Sequence, residues 1–102
     1  VTETPTGGAV VKVDGQAFAE YVVDQANKPY LWPIYNSNGK SMTRAYPMQN
    51  VPGEKQDHPH HRGLCFGHQS IGGSNTWAER ASYGEKSKPE ALALLGSIKR
   101  RR

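Results

Sequence analysis

All four histidines of this 102-residue chain fall within eleven positions, in Asp57-His58-Pro59-His60-His61-Arg62-Gly63 and then at His68. Imidazoles so grouped can do two kinds of chemistry. With an unperturbed pKa of about 6.5, a histidine takes or gives a proton near neutrality. His60 and His61 would then be the catalytic pair and Asp57 would orient a ring. Arg44, Arg62, His58 and His68 would hold the substrate, the arginines through their planar forks of donors. Neutral imidazole also ligates zinc, copper, iron or nickel. His58 and His60 flank Pro59, which favours extended backbone and puts both rings on one face, and His68 could return a third nitrogen. The spacing is not His-Glu-x-x-His. Nor is it the His-x-His of cupin barrels, because Leu64 and Cys65 stand where the cupin glutamate is found. A structural alternative remains, in which histidines beside Pro and Gly bond backbone carbonyls or face water. No cofactor is expected from the motif, and a divalent metal belongs to the second alternative alone.

Residues 45–61 hold Pro47, Pro52 and Pro59 and show no periodicity. Loops of that length in a small domain are usually functional or disordered. Strands on either side must position them. Asp14-Gly15 is a strong hairpin signal and predicts residues 9–13 paired with 16–23, with Ala17, Ala19, Tyr21 and Val23 on one face. Residues 30–35 form an aromatic strand, and Pro33 places it at an edge or a bulge. Its rings either pack the strand or stack on a sugar. After a turn over 36–39, residues 41–44 read as a short returning strand. Residues 62–68 read as another, ended by Gly72-Gly73, with Cys65 a buried structural thiol and Trp77 an anchor pinning the loop after the two glycines. Residues 91–98 have a helical composition weakened by Gly96. The expectation is an all-β, mostly antiparallel fold: residues 1–8 a loose lead-in, 9–98 the N-terminal part of one β domain, 99–102 a basic tail or truncation end.

Composition narrows the function classes. Four of the thirteen Lys and Arg residues lie at positions 99–102; the remaining nine face nine Asp and Glu. The basic balance therefore belongs to a tail, which argues against a nucleic-acid-binding face. Leu, Ile, Val and Phe number seventeen, so the core must be small. The single cysteine cannot form an internal disulfide. No apolar run is long enough for a membrane span, and these residues carry no signal-peptide pattern from which a compartment could be read. An incomplete sheet would expose an edge through which chains could self-associate.

Lys28-Pro29-Tyr30, Met42-Thr43-Arg44-Ala45-Tyr46-Pro47-Met48, the block from Asp57 to His68, and Trp77 together resemble the N-terminal part of a bacterial family of uncharacterised function. That family is often labelled methane oxygenase PmoA. The label implies a membrane subunit with apolar helices, which this sequence does not contain, so it does not carry over as mechanism. The resemblance implies a β-sandwich, of galactose-mutarotase type, that binds or acts on carbohydrate. It also implies longer, often exported proteins. On that footing His58, His60, His61 and His68 would line a sugar groove, with Arg44 and Arg62 contacting hydroxyls or carboxylates.

Overall fold

The computed structural model describes residues 1–83 and 89–99. Five strands form one antiparallel meander in chain order: β1 (Thr2–Glu3), β2 (Ala9–Val13), β3 (Gln16–Val22), β4 (Tyr30–Ile34) and β5 (Leu64–Cys65). A single 3₁₀ turn (Arg80–Ser82) and a short helix α1 (Pro89–Ala93) come after them. The all-β reading holds. The described strands all belong to this one sheet. No helix among the described residues is long and apolar enough to cross a membrane.

The β2–β3 hairpin turns where the sequence predicts. Asp14 and Gly15 both have positive φ, 51° and 77°, so the two-residue turn matches the twist of the strands it joins. Val13 pairs with Gln16 and Lys12 with Ala17, but Val11 pairs with Ala19. The extra residue, Phe18, breaks the expected alternation: Ala19 is buried while Ala17 is exposed. In β4 the Trp32-Pro33 bond is cis, and the β3–β4 register shifts between Ala19 and Tyr21. β5 pairs only with Tyr30 and Leu31 of β4, so Pro33 lies beyond that ladder, where its missing N–H costs nothing.

Three expectations are corrected. Residues 1–8 are not loose: β1 pairs with Ala9 and Val10. The reversal is held by Thr4, whose Oγ1 accepts from the Gly8 N–H at 3.1 Å. The returning strand over 41–44 shrinks to one bridge, Tyr35 to Ser41, because the Ser41 hydroxyl donates to the Thr43 carbonyl and curls the chain. The strand over 62–68 shrinks to two residues. Beyond it the chain leaves β4 for another partner, and the Thr76 N–H donates to the His68 carbonyl at 2.8 Å. Of the basic tail, positions 100–102 lie outside the described residues.

The core is small: Ala19, Tyr30, Ile34 and Ala78, together with buried Lys28, Thr76 and Glu79. Asn27 ties the late segment to the sheet. Its side-chain amide donates to the carbonyls of Ala78 (2.9 Å) and Gly96 (3.0 Å), and its backbone carbonyl accepts from the Ile98 N–H. That staple brings residues 76–82 under the loop that carries the histidines. Gly63, at the entry to β5, has φ +51°, and a Cβ there would collide with the Leu31 carbonyl oxygen. Only glycine lets the chain pass from the histidine loop onto β4 at this distance.

Candidate functional site

Residues 58–61 form a tight turn closed by the His61 N–H donating to the His58 carbonyl at 2.9 Å, with Pro59 inside it. The turn gathers three imidazoles. The rings of His58 and His61 stack at 4.8 Å, and His60 stands edge-on to His61 at 4.6 Å and to His58 at 5.8 Å. One ring nitrogen from each lies within 4.8 Å of the others. A tetrahedral ion with bonds of about 2.0–2.1 Å needs its nitrogens about 3.3 Å apart, so the three would have to draw in by up to about 1.5 Å to hold one. Trp77 walls one side, its ring 5.6 Å from His60 and 5.5 Å from His61. His58 and His61 are exposed at the rim, and His60 is half-buried.

Partial burial lowers the pKa of both His60 and His61. Repulsion from neighbouring basic side chains adds to it, chiefly from His61 and Lys28 around His60 and from His58 and Arg44 around His61. Both effects favour the neutral ring, the form whose lone pair can take up a metal or a proton.

His60 is anchored from below. Its Nδ1 lies 2.8 Å from the Ser82 hydroxyl, which also accepts from the Glu79 N–H at 2.9 Å. The Glu79 carboxylate is held in turn by two cations. Lys28, with no exposed surface, donates to Glu79 Oε2 at 3.0 Å and to the Trp77 carbonyl at 2.9 Å. Arg62 donates through Nε and Nη2, both at 2.8 Å in their shortest contacts, in a bidentate pair. Burial would raise the Glu79 carboxyl, but hydrogen bonds from Arg62 and Lys28 outweigh it and hold the group below its ordinary value. The Arg62 guanidinium lies over the Tyr30 ring at 5.5 Å.

Arg44 and Asp57 brace the loop from its solvent side. Arg44 donates to the Asp57 carboxylate and carbonyl, and to the His58 carbonyl at 3.1 Å. That contact holds the Asp57 carboxyl below its ordinary value, and the side chain reaches Arg44 instead of a ring. Glu54 performs a similar task upstream, accepting from the Ala45 and Tyr46 N–H groups at 2.9 and 3.0 Å. His68 does not join the converging set; its Nδ1 accepts from the Ser70 N–H at 3.0 Å. His58, His60 and His61 thus come together, Asp57 and Arg44 brace them, and Arg62 is engaged by Glu79. Sequence reasoning missed Lys28, Glu79 and Ser82. The only local signal was Glu79 three residues before Ser82, the spacing of residues that cap a helical turn.

Arg62 also lines a cleft of about 500 Å³ together with Glu20, Asp24, Gln25, Tyr30 and Trp32. The Trp32 indole N–H is buried without a partner among the described residues.

Residues 8–101 match a family of unknown function, DUF6807. The match shows no link to a methane oxygenase subunit. No curated protein and no solved structure matches the chain.

Proposed function

We propose that this chain, which belongs to family DUF6807, carries a divalent transition-metal centre ligated by His58, His60 and His61. One observation carries this reading: three imidazole nitrogens within 4.8 Å on a four-residue turn. An all-nitrogen donor set suits zinc and its first-row neighbours rather than magnesium or calcium. Three protein ligands leave a further position for water or substrate, the arrangement of hydrolytic zinc sites. An ion there would acidify a bound water or polarise a substrate oxygen. Calorimetric titration of EDTA-treated protein with zinc tests this. One ion per chain should bind, with His58→Ala and His60→Ala each weakening it at least tenfold. No binding, or binding untouched by both variants, would reject the site.

A second reading is carbohydrate binding, favoured by the cleft beside Arg62. Its lining offers acceptors (Glu20 and Asp24), a donor (Arg62) and the ring faces of Tyr30 and Trp32, the mixture a neutral polyhydroxylated ring requires. Neutral methyl glycosides titrated into the protein should shift the Trp32 indole signal in amide NMR spectra. A spectrum unmoved by every glycoside counts against it.

A further inference from the structure

We infer that Ser82 is a positioning residue for the three-histidine centre, setting which nitrogen of His60 faces the ion. The inference rests on the metal reading above and adds to it a residue outside the histidine motif. Its starting point is the contact between Ser82 Oγ and His60 Nδ1 at 2.8 Å. With Nδ1 engaged there, the nitrogen free to ligate is Nε2. A neutral imidazole bound to metal through Nε2 carries its proton on Nδ1, and that proton must be donated to Ser82.

The hydroxyl can receive it. A serine oxygen has two lone pairs. One accepts the Glu79 N–H at 2.9 Å, and the other remains for the His60 Nδ1–H. The serine is itself held in place. It ends a 3₁₀ turn whose cap, Glu79, is fixed by Lys28 and Arg62 through the buried carboxylate. The chain of contacts runs from buried Lys28, through Glu79 and Ser82, to a ring at the surface. His58 and His61 have no such contact among those described. Of the three ligands, His60 is the one pre-set for coordination, and the other two close on it. Outer hydrogen-bond partners of this kind typically change metal affinity by about 10- to 100-fold when removed.

The test uses cobalt(II) as a spectroscopic probe and zinc for NMR. Ser82→Ala should weaken cobalt binding by about 10- to 100-fold and alter its visible d–d absorption, while Ser82→Thr, which keeps the hydroxyl, restores both. In zinc-loaded wild-type protein, long-range ¹H–¹⁵N spectra should show His60 protonated at Nδ1 and coordinated at Nε2. That readout needs no variant to fold. Coordination of His60 through Nδ1 would overturn the inference, as would Ser82→Ala binding cobalt with wild-type affinity and spectrum. Failure of the wild-type protein to bind either metal overturns the centre itself, and the role of Ser82 with it.

Discussion

Two charged assemblies brace the same histidine turn, and they differ in where the energy lies. Arg44 and Asp57 hold the turn from outside, with side chains 27% and 48% exposed. Lys28, Glu79 and Arg62 hold it from beneath, at 0%, 10% and 15%. In water the charges of an exposed pair are well solvated whether or not they meet, so the pair adds little to stability. In the interior, solvation has already been lost. Each cation then depends on the single carboxylate, and removing it strands two charges. The outer pair therefore shapes the loop, whereas the inner triad is a condition of folding.

The largest expected effect breaks the inner assembly. Glu79→Ala should cost about 3–5 kcal/mol, the usual penalty for orphaning a buried charge. In a domain with so small a core, that is a large part of the total stability. Urea denaturation followed by circular dichroism measures it, and a loss no larger than that of an exposed variant would contradict the burial argument. Lys28→Met should cost less, because Glu79 keeps its bidentate partner Arg62.

Acid should separate the two levels in metal-free protein. The folded-state pKa values of His60 and His61 are lowered. Their contribution is thus fully present above the unfolded value of about 6.5 and is lost as pH falls through the lowered values. Glu79 is also lowered, so its contribution is present above about 4.3 and is lost only below that. Stability measured in EDTA should therefore decline in two stages on acidification, the first absent in a His60→Ala, His61→Ala double variant. A single decline confined to pH below about 4.3 would show that the rings are not desolvated in solution.

The smallest effect sharpens the contrast. Asp57→Asn should barely move the denaturation midpoint, and 1 M salt should erase what difference there is, since screening then acts within about 3 Å. Because Arg44 also donates to the Asp57 and His58 carbonyls, the turn should persist. A large, salt-insensitive loss would place Asp57 with the buried group instead.

How much of this was legible beforehand depended on separation along the chain. Asp14-Gly15 announced its hairpin because both residues tolerate the positive φ that the turn needs. His58, His60 and His61 belong together in sequence and in space, because one proline-containing turn suffices to gather them. His68 looked equally close on paper. Yet its strand gives way after Cys65, and its backbone bonds Thr76. Arg62 stood out from its place in the histidine motif, but its partner did not, since Glu79 lies seventeen residues downstream.

Residue types and local spacing by themselves determined the β class, the tight turns and the identity of the histidine loop, because those depend on backbone preferences and contacts between near neighbours. Only the tertiary structure decided that Lys28 and Glu79, 51 residues apart, would meet beneath that loop, and that Ser82 would reach His60. The Asn27 staple and the passage at Gly63 bring these segments together. Burial then converts three ordinary charged side chains into a mutually dependent unit, and burial is a property of the packed chain rather than of any stretch of it.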